Sequence, residues 1–488
     1  MKKSILSLIV VIYSISSFAQ SRKTDFYEFN GNIKGIKDTT CMLAYYFGDK
    51  QFAKDTAIID GNGNFQFKGD EGLLHGMYMI VFPNSKYMEI VVAENEFSFT
   101  SNIDNLISET RFTNSNENQK FYGYLQYLEE KKEVLSNYRN KLETIQPSQK
   151  ENIQNEMDKI NSEMLKHQQD FIDQNPNILF TAILNSSEEI KVPSPPILEN
   201  GSIDSTFQYR YYKKHFYDNF DFSDERLLRT PIFHSKLNTY IENLTPKHAD
   251  SIIVSCDYLI EKSRANKEVF KYVVSYLTST YERSKIMGLE KVFVHLVKKH
   301  FSTGEVDWLD ETQIFNIVDR AETIEPLMIG QIAPNLSLRD TSENVRVLHQ
   351  ITSDYTVLIF YDPDCGHCKK ELPVIKQKQD QWLADGISVE VYCVSVELDK
   401  EKWLEFIRTY DTGDWINVAE FRTYVDGEYN RENDMYVTPF PYIKQLYDIN
   451  GTPKVYLLDK DKRILVNAIK GNIGVDQLSE LLYLENNK

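Results

Sequence analysis

The sequence predicts a multidomain protein with an N-terminal antiparallel β-sandwich, an all-α middle region and a C-terminal α/β fold. Three observations carry that prediction. Up to about residue 102, short runs rich in aromatic and β-branched residues are punctuated by Gly and Asn turns, as strands are. After Asn116 the apolar residues recur at intervals of three and four, the period of one helix face. From about Leu327 apolar strand-like runs alternate with helical segments, the pattern of a sheet covered by helices. The predicted boundaries are 1–19 for an export signal, 20–116 for the sandwich, 117–326 for the helical region and 327–488 for the α/β domain; 488 residues suffice for several domains.

Lys2 and Lys3, an apolar run from Ile5 to Ile15 and the small-residue site Ser17-Phe18-Ala19 read as a signal peptide cleaved near Ala19. The run is about half of the ~20 residues that cross a bilayer, so no stable membrane insertion is expected. Removing the two lysines takes the formal charge from -17 to -19. A chain this acidic is not expected to bind nucleic acid or anionic lipid through bulk charge. An exported location is oxidising, yet five cysteines are too few to staple a scaffold of this length.

Within the sandwich, "FYEFNGNI", "TCMLAYYF", "TAIIDGNGNFQF", "MYMIVFP" and "YMEIVVAENEFSFT" read as strands. Asp60, Asn62, Asn64 and Glu71 fall at positions 1, 3, 5 and 12 of a calcium-loop template, but its sixth-position Gly is Phe65, so a hairpin turn is expected instead. In the helical region Phe121 to Leu142 and Ile153 to Phe171 form two amphipathic helices joined near Pro147, an antiparallel hairpin. His167 lies on the apolar stripe and reads as a packed residue, because a lone His lacks the clustered ligands a metal needs. "VPSPP" and "ENGS" mark a loop. The aromatic run from Phe207 to Phe222 reads as packing surface, since large aromatics dominate buried area.

The last region places "YTVLIFY" (Tyr355 to Tyr361) as a buried strand, Gly366 to about Ala384 as a helix, Ile387 to Val396 as a strand and "KEKWLEFIRTY" as a helix. Pro453 to Ile469 reads as two strands around a charged turn, followed by a closing helix. Between the first strand and helix lies "YDPDCGHCKK", with Cys365 and Cys368 one helical turn apart. A thiol is a nucleophile as thiolate, and a cysteine at a helix N-terminus gains from unsatisfied N–H groups and the helix dipole. Cys368 is then close enough to resolve a mixed disulfide on Cys365. A protonated His367, with Lys369 and Lys370, favours the thiolate; Asp362 and Asp364 oppose it, and the net sign is open at this level.

Other uses of the pair fit less well. Zinc needs further ligands, whereas Cys41, Cys256 and Cys393 are isolated in sequence, so no metal is expected. Haem attachment requires His where Lys369 stands. A structural disulfide without turnover stays open, as does a Cys41–Cys256 pairing across domains. Cys393, in an apolar strand, reads as a buried inert thiol.

The strand entering C-x-x-C, the helix leaving it and "NGTPKVYLLD" downstream resemble the thioredoxin fold, and "MIGQIAPNLSLRD" (Met328 to Asp340) is similar to the lead-in of its TlpA-like, redoxin-like exported members. The resemblance spans about 160 residues. A β domain and a helical domain ahead of such a unit resemble exported proteins of Bacteroidetes-type bacteria. It implies a thioredoxin-like C-terminal domain in which Cys365 and Cys368 are catalytic and form the redox disulfide. Gly366 and His367 would tune it, and Thr452 with a cis Pro453 would line the substrate groove. The acid that many thioredoxins bury ahead of the first cysteine is absent, leaving Glu397 and Glu371 as weak substitutes, and Asp364 replaces the usual Trp. The implied function is an exported, periplasmic or envelope thiol-disulfide oxidoreductase that reduces, rather than oxidises or isomerises, disulfides of envelope proteins. No flavin or nicotinamide fingerprint occurs, so no cofactor is expected and electrons would come from a membrane donor. The alternative is a non-enzymatic envelope binding protein with the same fold as scaffold.

Overall fold

A computed structural model describes residues 24–144, 146–397, 399–420, 424–425, 428–429, 440–467 and 474–487. The expected signal peptide lies outside them. The chain divides into two compact units, 1–245 with 259–272 and 246–258 with 273–488. No helix among the described residues is long and apolar enough to cross a membrane.

The first unit opens with two four-stranded sheets. One runs Asn64–Gly69, Tyr27–Lys34, Glu96–Asn102, Arg111–Thr113; the other Lys50–Ile59, Thr39–Phe47, Gly76–Val81, Tyr87–Val92. Alternate residues of Tyr27–Lys34 are buried, which puts Phe29 and Ile33 into the core, where Phe29 stacks on Phe97 at 4.2 Å. The sheets are antiparallel except at one pair: Tyr27–Lys34 and Glu96–Asn102 run parallel, because the chain visits the other sheet between them. The Asp60 segment is a turn without being a hairpin. Asp60 Oδ1 accepts the Asn62 and Asn64 N–H groups at 2.8 Å, but the flanking strands belong to different sheets. Gly63 has φ +83°, and a Cβ there would stand 2.3 Å from the Ile33 carbonyl oxygen, so only glycine turns this corner.

Two long helices follow, Asn116–Thr144 and Pro147–Gln174. Leu135, Met157 and Ile160 close their shared core, and Lys131 meets Glu163 at 2.9 Å, as the antiparallel pairing requires. His167 is packed, stacked on Tyr127 at 3.8 Å and against Tyr124. The aromatic run is packing surface too: Tyr217 is ringed by Phe216, Phe220, Phe222 and Tyr240.

The second unit is built on a seven-stranded mixed sheet in the order Val345–Val347, Ser337–Asp340, Ile416–Ala419, Val389–Ser395, Tyr355–Tyr361, Lys454–Asp459, Ile464–Val466. Tyr355–Tyr361 lies inside it, parallel to Val389–Ser395 and antiparallel to Lys454–Asp459. Buried on both faces, it is apolar almost throughout rather than alternating. On one face Val357, Ile359 and Tyr361 pack with Leu372, Ile375 and Trp382 of the helix Gly366–Ala384 and with Trp403 and Phe406 of the helix Lys400–Thr409. The closing helix Val475–Asn486 adds Leu478 and Leu482 to that core. Phe360 points the other way, 4.7 Å from the Tyr447 ring. Sequence periodicity did not mark Ser337–Asp340, Val345–Val347 or Ile416–Ala419, which are three or four residues long.

Candidate active site

The site forms where the central strand ends. Asp362 turns the chain: its carbonyl accepts the Cys365 N–H at 3.0 Å and its Oδ1 the Asp364 N–H at 2.8 Å. Cys365 thereby becomes the N-cap of Gly366–Ala384, with extended backbone and its carbonyl accepting the Lys369 N–H at 3.1 Å. One turn on, Cys368 points into the core and is fully buried, while Cys365 is half-buried. From the other side, Lys454 pairs with Phe360, so the residues just before it reach the cysteines. The Thr452–Pro453 peptide bond is cis, and the Cys365 thiol donates to the Thr452 carbonyl at 3.3 Å.

The two sulfurs are driven apart in acidity. Burial would push the Cys365 thiol up, but hydrogen bonds from the Cys368 N–H, the Thr452 side chain, the Cys368 thiol and the His367 N–H outweigh it and hold Cys365 below the usual thiol range. Cys368 is pushed up to about 12, first by burial and then by its neighbour Cys365. All five cysteines are free thiols in this structure, Cys365 and Cys368 among them. Cys41 is buried and pushed up to about 12; Cys256 and Cys393 are buried and raised as well, each mainly by desolvation. Cys41 and Cys256 stand unbridged.

The charges that the sequence set against each other sort themselves spatially. Lys402 holds Asp364 at 2.7 Å, which keeps its carboxylate low and offsets its negative field beside Cys365. Carboxylate oxygens of Asp362, Asp364 and Glu397 come within 4.8 Å of one another; this acidic group contains neither Cys nor His. Glu397 thus stands with the aspartates, and its Oε1 accepts the Asp399 N–H at 3.1 Å. Glu371 is half-buried with its carboxyl raised by desolvation, opposed by His367. His367, Lys369 and Lys370 are exposed, and His367 acts on the Cys365 sulfur through its backbone N–H. A Cβ on Gly366 would meet nothing within 4 Å, so no steric need fixes glycine there. Lys402 gave no signal in the sequence. Lys454 did: a lysine opening an apolar strand, here buried beside Asp448.

Residues 329–466 match the AhpC/TSA family, and this match coincides with the sheet, the C-x-x-C helix and the cis proline. The chain carries a redoxin-like thioredoxin-fold domain. Ahead of it, residues 27–121 and 145–324 match two domains of unknown function, DUF4369 and DUF5106. None of the curated proteins matches the chain. Among solved structures it is similar to a thioredoxin-like protein from Bacteroides caccae, 20% identical over 61% of this chain and 99% of that one, with a TM-score of 0.42. It is also similar to a domain of a possible thiol-disulfide isomerase from Cytophaga hutchinsonii, 34% identical over 33% of this chain and 96% of that one, TM-score 0.27. A third is the thioredoxin domain of a thiol-disulfide oxidoreductase from Bacteroides vulgatus, 20% identical over 33% and 98%, TM-score 0.26. In the redoxin-like domain of this chain the arrangement can exchange thiols for disulfides: one accessible sulfur favoured as thiolate, one buried sulfur a helical turn away.

Proposed function

We propose that the protein is an exported thiol-disulfide oxidoreductase that reduces disulfides of envelope proteins. The observation that carries this reading is the placement of two thiols three residues apart at a helix start, Cys365 half-buried and within 3.3 Å of the Thr452 carbonyl, Cys368 fully buried, with their acidities displaced accordingly, Cys365 down and Cys368 up. The Cys365 thiolate attacks one sulfur of a substrate disulfide, whose bond breaks as the leaving sulfur takes a proton. Cys368 then gives up its proton and attacks Cys365 Sγ in the mixed disulfide. The second substrate thiol leaves, and Cys365–Cys368 is oxidised by two electrons. Thr452 and Pro453 line the groove in which the substrate strand lies. A membrane-bound dithiol donor returns the two electrons.

The test is insulin reduction with dithiothreitol as electron source. Wild type is expected to accelerate it, and Cys365→Ser to fall to the dithiothreitol background. Equal rates in the two proteins sink the enzyme reading. Direction is read from the reduction potential: a value near the roughly −270 mV of thioredoxin is expected, whereas one near roughly −120 mV marks an oxidant.

A further inference from the structure

The Thr452–Pro453 loop is closed at both ends by one buried carboxylate. Asp448, 6% exposed, accepts from the Asn450 side-chain amide through Oδ1 at 2.7 Å and from Lys454 Nζ through Oδ2 at 3.3 Å. Lys454 is itself 7% exposed and also donates to the Tyr447 carbonyl at 3.2 Å and to the Asp448 carbonyl. Residues 450 and 454 are thus tied to the same side chain, with Thr452 and Pro453 between them. Asp448 Oδ1 has a second partner, the guanidinium of Arg320, which reaches it from the helix Glu311–Ile324. Arg320 lies 128 residues earlier in the chain, outside the stretch that matches the AhpC/TSA family.

We propose that Arg320 and Asp448 are positioning residues for the redox site: the Arg320–Asp448–Lys454 network fixes the Thr452–Pro453 loop against Cys365 and so sets both the reactivity of that thiol and the shape of the substrate groove. Two cations on one carboxylate account for the geometry. Lys454 alone would satisfy Asp448 locally; Arg320 adds the link from the loop to a helix outside the redoxin-like domain. The consequence travels one step further: the loop comes within 3.3 Å of the Cys365 sulfur at the Thr452 carbonyl, and loosening it withdraws the Thr452 side-chain hydrogen bond that favours the thiolate. Around Asp448 the charged or titratable side chains are Arg320, Lys454 and the Tyr456 hydroxyl. Around Cys365 the polar partners are Thr452, the Cys368 thiol and the N–H groups of the helix start. The groove part of this inference rests on the reading of the protein as a disulfide reductase; the Cys365 part does not.

The test compares full-length wild type, Arg320→Met and Arg320→Lys by two measurements. One is the pH dependence of Cys365 alkylation by iodoacetamide, the other kcat and KM for insulin reduction. Arg320→Met is expected to move the alkylation midpoint to higher pH and to lower kcat/KM about tenfold, as displacement of a positioning group does, with Arg320→Lys recovering most of both. The Arg320 side chain is 32% exposed, so methionine can occupy its place; if that protein does not fold, Arg320→Gln is measured in the same way. A folded neutral variant whose midpoint and kcat/KM both stay within twofold of wild type overturns the proposal, even if its melting temperature falls. A shifted midpoint in a protein whose wild type reduces no insulin sustains the clamp and sinks the reductase reading.

Discussion

One turn of helix separates Cys365, at the solvent edge and inside a fan of N–H donors, from Cys368, fully buried in the core. The two therefore contribute to stability with opposite pH dependence. For Cys365 the folded state favours the thiolate, so its contribution is present at high pH and lost as pH falls through its lowered pKa. For Cys368 the folded state favours the thiol, so its contribution is complete below the ordinary value of 9.0 and is lost as pH rises from there towards about 12. Between pH 8 and 10 the reduced protein is expected to lose about 1.4 kcal/mol more than a Cys368→Ala variant does. Urea denaturation of both under reductant at the two pH values checks this; equal losses assign the pH dependence elsewhere. The pair itself was legible in the sequence, since C-x-x-C ahead of a helix is a local pattern. The neutralisation of Asp364 was not, because Lys402 lies 38 residues away and only the fold brings it to 2.7 Å.

The C-x-x-C helix is held by more than its apolar face. Trp382 donates its indole N–H to Ser479 Oγ at 2.9 Å inside the core, which ties this helix to the closing helix Val475–Asn486. Ser479→Ala leaves that N–H buried without its partner and is expected to cost about 1–3 kcal/mol, read as a lower denaturation midpoint with unchanged m-value. The nearby Trp415–Gln379 bond at 2.6 Å stays intact in that variant and serves as the internal contrast. At this scale periodicity located the long elements well: the helix observed at Gly366–Ala384 and the strand at Tyr355–Tyr361 have the expected limits. It gave no account of the parallel pair in the sandwich, nor of the corner at Asp60, because strand partners are chosen by which faces meet and not by the strands' own composition.

In the second unit the α/β sheet leans on residues that precede it in the chain. Buried Glu290 accepts from Asn467 Nδ2 at 2.6 Å, Met287 packs on the core beneath the sheet, and Arg320 holds Asp448. A chain beginning at Leu327, where the sequence pattern changes, lacks all three. It is expected to be less stable than one beginning at Pro246 by about 3 kcal/mol or more, the usual cost of removing one partner of a buried polar pair. Urea denaturation of the two shortened proteins measures the difference, and equal midpoints would show that those contacts contribute nothing. The sequence by itself determined the residues on which the proposed reaction rests: a dithiol one helical turn apart, a strand before it and a proline far downstream are written in residue types and short spacings. Only the tertiary structure decided the direction in which each thiol's acidity is displaced, which charge pairs with Asp364 and what ties the Thr452–Pro453 loop to the rest of the unit. Those properties depend on burial and on pairs 38 to 128 residues apart, and no local pattern encodes either.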